Sequence, residues 1–333
     1  MRVPLKMAAG SNNPFLATKR RPIVVGHRGV PALHQENTLA GFRRAGALGI
    51  PAVELDVRLT VDRQAVVFHD SDVARLTGET GAVADLTWDQ LSRLRIRRDV
   101  PMGLDARGAE VVTRYECEER IPLLAEVLAE IAPHVAINVE LKLDGARWWQ
   151  VEVGAVAARV IAEAGAEDRV IVTSFDPRKL RAATQIAPAL AVGFCFDDSM
   201  LDFAGPLLDR LRRGVAGPYS RIERELQRPD DDRRPFHHGR RMLARLVDAN
   251  VIGRLLRSRL IGVEHTLIGR DTVRRLHAQG VAIGTHTLFP LGSTTSKSIA
   301  ESASTATEVE RLVAIGVDWI ESDDPERLLE LVS

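Results

Sequence analysis

Acidic side chains lie two residues apart in one apolar run of this 333-residue chain, and a third acid lies in a similar run further on. The first run is "VELDV", with Glu54 and Asp56, and the second is "NVELK", with Glu140 and Lys142. Side chains alternate between the two faces of a strand, so the members of each pair project from the same face. Carboxylates gathered away from water need a cation to neutralise them. Oxygen ligands without paired cysteines suit Mg²⁺ or Ca²⁺.

Two histidines and an arginine add the groups that proton transfer and phosphate binding require. His27 and Arg28 follow an apolar run in "PIVVGHRG", and His69 ends the run "AVVFHD". Two histidines beside a divalent ion can serve as general acid and general base. Arg28 and Lys142 would supply positive charge for a phosphate. Together with the carboxylates, these residue types indicate metal-assisted phosphoryl chemistry.

The elements that must position these side chains are short β-branched runs alternating with longer helical patterns. Near-continuous apolar strands separated by helices predict a parallel sheet covered on both faces. The link "TVDRQ" between the second and third runs is too short for a crossover helix, so it predicts a local hairpin and leaves eight strands. We therefore predict an α/β fold, a TIM (β/α)8 barrel with insertions, whose catalytic groups lie at the carboxyl ends of the strands. The alternative is an open doubly wound sheet, but no G-x-G-x-x-G follows the first strand. The predicted strands are residues 22–27, 52–57, 65–70, 135–142, 170–175, 190–196, 260–265, 281–286 and 316–322.

The domain organisation is predicted from the segments that interrupt the alternation of strand and helix patterns. Residues 22–333 are predicted to form a single barrel domain, preceded by a flexible leader over residues 1–21. Insertions are predicted at about 71–120 and 197–259, since both segments are far longer than one βα connection. The second insertion is basic, with 14 Arg against 7 Asp and Glu from residue 209 to 259.

The segment 239–260 within that basic insertion has apolar residues near helical spacing, with arginines between them. A basic amphipathic helix can lie on an anionic membrane surface. The same pattern is also typical of a helix that covers the core, with arginine stems at its edge. A lid or a partner surface is a third interpretation. Contact with a membrane surface through 239–260 is therefore one hypothesis among three.

Composition limits the other classes of partner. The formal net charge is zero, so no global field favours nucleic acid. The two cysteines, Cys117 and Cys195, lie far apart and suit a reducing compartment rather than a disulfide scaffold. No apolar run approaches the roughly 18 residues of a membrane span. We therefore predict a cytoplasmic protein, in peripheral contact with a membrane if the helical segment binds lipid.

Several other residues have open roles. Asn37 stands where an N-cap belongs before the helical pattern "TLAGFRRAGALG". Glu36 is predicted to be a hydrogen-bond partner of the site or, alternatively, a metal ligand. Alternation points Asp70 away from His69, which favours a turn or an orienting role. His286 is a candidate for the pocket or for ordinary packing.

The longer motifs resemble those of the glycerophosphodiester phosphodiesterase family. They are "GHRGVPALHQENTLAGF", "VELDVRLTVDRQAVVFHD" and "NVELK", and the resemblance runs from about residue 22 to 331. It implies a TIM barrel, one divalent metal ion on three carboxylates, an acid–base pair of histidines and two basic side chains on the phosphate. The implied metal ligands are Glu54, Asp56 and Glu140. The implied acid–base pair is His27 and His69, and the implied phosphate-binding residues are Arg28 and Lys142.

The activity implied by the resemblance is hydrolysis of a small glycerophosphodiester to glycerol phosphate and an alcohol. A lysophospholipase D acting on a lysophospholipid is the nearest alternative, and a catalytically inactive barrel that binds a phosphate ligand is a third. The family usually carries a tryptophan and a T-V-N-like run on the seventh strand. Here that strand reads "VAIGTHTLFP", with Thr285 and His286, so the wall of the alcohol pocket is expected to differ.

Overall fold

Eight parallel strands close into a barrel in the computed structural model of this chain, which describes residues 13–17, 21–105, 108–143, 151–197, 237–292 and 305–333. Each barrel strand pairs with the next one along the chain, and the first also pairs with the last. The strands in these residues are β1 (Ile23–Gly26), β2 (Ala52–Leu59), β3 (Ala65–Val67), β4 (Asp99–Leu104), β5 (Glu110–Arg114), β6 (Ala136–Leu141), β7 (Val170–Ser174), β8 (Ala191–Phe196), β9 (Leu260–Glu264), β10 (Ala282–Leu288) and β11 (Trp319–Ser322). All except β3, β4 and β5 are barrel strands.

Helices follow most barrel strands and cover the outside of the barrel. They are α1 (Leu39–Ala47), α2 (Ala74–Thr77), α3 (Trp88–Arg93), α4 (Leu124–Ile131), α5 (Glu152–Glu163), α6 (Pro177–Ile186), α7 (His237–Ala249), α8 (Val251–Leu256), α9 (Arg270–Ala278), α10 (Ala306–Ile315) and α11 (Pro325–Val332). This architecture confirms the predicted TIM barrel. All nine predicted strands are present, and β3 pairs antiparallel with β2, as the short "TVDRQ" link predicts.

The main hydrophobic core lies between the barrel and its helices, because alternate side chains of each strand point outward. On β2 the outward residues Val53, Leu55 and Val57 are fully buried in this core. The inward positions of the same strand, Glu54 and Asp56, are polar and buried. The alternation that the sequence shows therefore separates packing from chemistry within a single strand.

A second apolar cluster fills the inside of the barrel at the amino ends of the strands. Trp319 is its largest side chain, and Phe15 packs edge-on against it with ring centroids 5.6 Å apart. The Asn13 side chain donates a hydrogen bond to the carbonyl of Val170, the first residue of β7. Residues 13–17 therefore differ from the flexible leader that the sequence predicts, because an aromatic side chain there closes the end of the barrel.

Trp319 also packs against the seventh barrel strand, β10, on which the family resemblance leads one to expect a tryptophan. Gly284 on β10 is the register partner of Trp319 on β11. A Cβ added to Gly284 would lie 1.7 Å from the Trp319 ring. The Trp319 indole on β11 therefore fills the space that any side chain at Gly284 would need.

Residues 71–120 form a small unit beside the barrel mouth, with α2, α3 and the antiparallel pair β4–β5. Its apolar side chains form a hydrophobic cluster with Val66 and Phe68 of the β3 region, and Val73, Leu76 and Leu91 are fully buried in this cluster. The hydroxyl of Tyr115 donates a hydrogen bond of 2.6 Å to the carbonyl of Pro31, in the loop after β1. This contact ties the unit to the loop that carries the first site residues.

Of the predicted basic insertion, residues 198–236 lie outside the described residues. Helix α7 buries Leu243 and Val247 against the main core. The apolar face of this part of 239–260 thus covers the core, as one of the three interpretations requires, while Leu255 on α8 is 81% exposed. Among the described residues, no helix has the length and apolar character needed to cross a membrane.

Candidate active site

Three carboxylates converge inside the barrel at the carboxyl ends of β2 and β6. These strands are neighbours, and Asp56 is the register partner of Glu140. Each of Glu54, Asp56 and Glu140 offers one oxygen, and these oxygens all lie within 4.8 Å of one another. Glu54 and Asp56 are each only 1% exposed. The geometry could hold a metal ion, because it gathers hard oxygen donors in a site shielded from water.

Two oxygens of this cluster lack the hydrogen bonds that buried carboxylates need, and a bound cation would supply the missing interaction. Glu54 Oε1 and Asp56 Oδ1 are buried and have no hydrogen-bond partner, and Asp56 Oδ1 has only an ion pair of 3.3 Å with Lys142 Nζ. Burial and the neighbouring charge of Asp56 raise the pKa of Glu54 well above its ordinary value. Burial acts in the same direction on Asp56, but Lys142, His69 and Arg28 outweigh it and lower the pKa of Asp56. The cluster therefore carries repulsion that a divalent ion would relieve.

The sharp turn after β1 explains the glycines of "GHRG". Gly29 donates a backbone hydrogen bond to the carbonyl of Gly26, and a Cβ on Gly26 would lie 2.1 Å from the Gly29 oxygen. Arg28 between them has a φ of 54°, a conformation that few side chains adopt. This turn aims the Arg28 backbone N–H at Glu54 Oε2, 2.9 Å away. The backbone thus helps to hold a carboxylate of the cluster.

The side chains of Arg28 and Lys142 lie beside the carboxylates. Arg28 Nε is 3.3 Å from Asp56 Oδ2, and Lys142 Nζ is 2.7 Å from Glu140 Oε1 and 3.3 Å from Asp56 Oδ1. Burial opposes both positive charges, but the surrounding carboxylates outweigh it and raise the pKa of each group. Both side chains therefore stay charged and can attract a phosphate at the barrel mouth.

In each of the two candidate histidines, Nδ1 lies within hydrogen-bond distance of a carboxylate oxygen. His27 Nδ1 lies 2.6 Å from Asp323 Oδ1, and His69 Nδ1 lies 2.6 Å from Asp70 Oδ1. An Nδ1–H donated to a carboxylate leaves Nε2 available to a reacting atom. His27 Nε2 is 3.9 Å from Glu54 Oε2, next to the cluster. Burial, Arg28 and Lys142 lower the pKa of His69.

The structure therefore brings together all seven residues that the sequence singles out. It also assigns places to several residues whose roles were open. Asp70 has the orienting contact described above, whereas Glu36 binds Arg28 through Arg28 Nη1 at 3.0 Å. The N-cap prediction for Asn37 is wrong: Thr38 caps α1, and Asn37, at a φ of 59°, exchanges two hydrogen bonds with Asp56.

Two contributors were not predicted from the sequence. Asp323 lies just after β11 and is 296 residues from the His27 that it orients. The motif "WIESDDP" shows acids at a strand end, which could have suggested a site residue but not its partner. Arg75 comes from the 71–120 unit and binds both Glu36 and Asp70. No periodic pattern marks it.

A polar cavity adjoins the carboxylate cluster inside the barrel, and Glu140 and His286 both line it. His286 also contacts the ring of Phe175 edge-on, with centroids 6.1 Å apart. Glu321 lies in the same cavity and accepts a hydrogen bond of 2.8 Å from Asn138. His286 is thus a pocket residue, on the strand where the family usually carries tryptophan.

Comparison with known proteins agrees with this geometry. The model of the glycerophosphoryl diester phosphodiesterase family matches residues 27–327. The chain belongs to this family. As a member of the glycerophosphoryl diester phosphodiesterase family, it is a phosphoric diester hydrolase.

Individual members of the glycerophosphoryl diester phosphodiesterase family show how far the similarity extends. The chain is 34% identical over 183 residues to a glycerophosphodiester phosphodiesterase of Caldanaerobacter subterraneus subsp. tengcongensis, covering 55% of this chain and 70% of that relative. It is 36% identical over 120 residues to a lysophospholipase D of Rattus norvegicus, covering 36% of each. An Oleispira antarctica phosphodiesterase, solved with the product sn-glycerol-3-phosphate, has the same fold, with a TM-score of 0.60 at 20% identity over 94% of this chain and 97% of that one.

Proposed function

We propose that this enzyme hydrolyses glycerophosphodiesters to glycerol phosphate and an alcohol, with one divalent metal ion, Mg²⁺ or Ca²⁺, on Glu54, Asp56 and Glu140. The observation that carries the proposal is the buried carboxylate cluster, in which two oxygens lack a hydrogen-bond partner. Family membership supports the reaction class. A bound divalent ion would neutralise the cluster, polarise the phosphate and lower the pKa of a bound hydroxyl.

The side chains of the site divide the remaining tasks. Arg28 and Lys142 would bind the non-bridging oxygens of the phosphate and stabilise the charge that develops on it. One of His27 and His69 would accept the proton of the nucleophile, and the other would protonate the leaving alkoxide. Nδ1 of each histidine lies 2.6 Å from a carboxylate oxygen, so this contact is compatible with either role for either residue. The nucleophile is either water or a hydroxyl of the glycerol. In the second case the alcohol leaves as a cyclic glycerol phosphate forms, and water then opens this ring to give glycerol phosphate.

Metal removal tests the carboxylate cluster directly. Stripping the enzyme with EDTA should abolish the release of choline from glycerophosphocholine, and Mg²⁺ or Ca²⁺ should restore it. Glu54→Gln should weaken metal binding, measured by calorimetry, while the protein stays folded. Full turnover by thoroughly metal-free protein would contradict the proposal.

The histidines are tested by substitution in the metal-loaded enzyme. His27→Ala and His69→Ala should each lower kcat by about 10²–10⁴-fold, the usual contribution of a general acid or base. The double variant should lose less than the product of the two single losses, because both groups act in one transition state. His134, an exposed histidine, provides the matched control. A histidine whose removal leaves kcat within a factor of a few has another role.

A second candidate function is that of a lysophospholipase D on lysophospholipids. It is favoured by the similarity to the Rattus norvegicus enzyme of that name and by a pocket wall that carries His286. Choline release from glycerophosphocholine and from lysophosphatidylcholine separates the two functions, since the preferred substrate should show the higher kcat/KM.

The cytoplasmic location and the membrane contact through 239–260 stay predictions. Sedimentation with anionic vesicles tests the membrane contact.

A further inference from the structure

Arg75 reaches the site from outside the barrel. It lies on α2 of the 71–120 unit, between Val73 and Leu76, which are both fully buried in the hydrophobic cluster of that unit. These two anchors hold α2 in place, so the guanidinium projects toward the loops of the barrel mouth. The Arg75 side chain is 27% exposed there.

The guanidinium binds two carboxylates at once. Arg75 Nη2 donates to Glu36 Oε1 at 2.7 Å and Nη1 to Glu36 Oε2 at 2.9 Å, which makes a two-bond fork. Arg75 Nε donates to Asp70 Oδ2 at 2.6 Å, and Nη1 also reaches the carbonyl of Pro101 on β4 at 3.2 Å. Such charge-assisted, planar contacts fix orientation as well as position.

Each of these carboxylates also holds a group of the proposed reaction. Glu36 Oε1 accepts from Arg28 Nη1 at 3.0 Å, and Asp70 Oδ1 lies 2.6 Å from His69 Nδ1. One side chain thus connects the phosphate-binding arginine to an acid–base histidine. These two groups come from the ends of different strands, and the 71–120 unit supplies the link between them.

We propose that Arg75 is a positioning residue for catalysis, which acts through Asp70 on His69 and through Glu36 on Arg28. This inference rests on the roles that the proposed function gives to His69 and Arg28. The competing interpretation is that Arg75 only fastens the 71–120 unit to the barrel. Kinetics distinguish these two interpretations. A purely structural role for Arg75 would change stability, without a specific effect of Asp70 on kcat or of Glu36 on KM.

Arg75→Lys is the most informative substitution, because it keeps the positive charge but cannot span two carboxylates in the same plane. Removing a residue that orients a metal ligand typically costs about 10–100-fold in activity, and we expect a similar loss for a residue that orients an acid–base or phosphate-binding group. We expect Arg75→Lys to lower kcat/KM for glycerophosphocholine by about this factor, with kcat falling through His69 and KM rising through Arg28. Arg75→Met should lose at least as much. Arg93→Met, at a 74% exposed arginine of the same unit, is the matched control and should stay within about twofold.

Double-variant cycles identify the route of the effect. In an Asp70→Asn background, Arg75→Lys should cost less in kcat, because the connection to His69 is already broken. In a Glu36→Gln background it should cost less in KM. Melting temperatures of all variants show whether the fold survives, and Arg75→Lys with the two cycles carries the test if Arg75→Met does not fold.

Two results would overturn the inference. One is wild-type kcat/KM in Arg75→Lys, and the other is an undiminished cost of Arg75→Lys in both backgrounds. Either result, obtained with an active wild-type enzyme, rejects the positioning role and leaves the proposed function intact. An inactive wild-type enzyme on all glycerophosphodiesters tested rejects the proposed function itself.

Discussion

Glu36 shows how single side chains of the site couple chemistry to stability. It is 2% exposed and lies between Arg28 and Arg75. Burial works against its charge, but the two arginines outweigh burial and lower its pKa from 4.5 to about 2. A depressed pKa stabilises the fold above pH 4.5, and this contribution is lost as the pH falls from 4.5 to about 2.

We therefore expect the free energy of unfolding to fall by about 2 kcal/mol more in the wild type than in Glu36→Gln between about pH 5 and pH 3. Urea-induced unfolding at the two pH values measures the difference. Glu79→Gln, at an exposed glutamate of the 71–120 unit, is the matched control. Parallel pH profiles for the wild type and Glu36→Gln would contradict the assignment of this charge to the folded state.

Two neighbouring strands depend on each other for packing, because a large side chain on one strand fills the space next to a glycine on the other. Trp319 on β11 fills the space above Gly284 on β10 and is 1% exposed. Gly284→Ala should cost about 1–3 kcal/mol, because the rigid indole cannot yield without disturbing the barrel interior. Trp319→Gly should cost at least about 3–5 kcal/mol through the cavity that it leaves.

The exchange Gly284→Trp with Trp319→Gly should be more stable than Gly284→Trp or Trp319→Gly alone, since the indole and the space for it are restored together. Chemical denaturation of the three variants measures this coupling. Gly262→Ala is the control for adding a methyl group inside the barrel. Its new Cβ would meet the smaller Cys195 Sγ at 2.9 Å, so it should cost less stability than Gly284→Ala. Additive losses in the exchange variant would show that the two positions do not share one space.

The barrel as a whole separates stability from catalysis along its axis. The carboxyl ends of the strands carry the site, whereas Phe15, fully buried against Trp319, closes the amino ends. Phe15→Ala should lower the free energy of unfolding by about 3–5 kcal/mol and leave kcat and KM unchanged at low temperature. The half-buried neighbour Leu16 provides a smaller truncation, Leu16→Ala, for comparison. A change in KM for Phe15→Ala would show that the two ends communicate.

The strand pattern predicted the barrel, which the structure confirms, and it placed the seven candidate site residues at strand ends, where the structure brings them together. Alternation on "VELDV" and "NVELK" already places Glu54, Asp56 and Glu140 on inward faces, because strand geometry has a period of two whatever the partner. The length of "TVDRQ" identifies β3 as a hairpin strand for the same local reason. These conclusions depend on residues close together in the chain.

Only the tertiary structure decided which groups act on one another. His27 finds its carboxylate in Asp323 across almost the whole chain, and Arg75 finds Glu36 from a separate unit. Trp319 on β11 fills the space next to Gly284 on β10. The contact of His27 with Asp323 arises when the barrel closes and brings the first and last strands into register. No local periodicity encodes any of the three contacts. Residue types and spacing therefore predict the candidate reacting groups, and the tertiary structure determines which distant residues orient them.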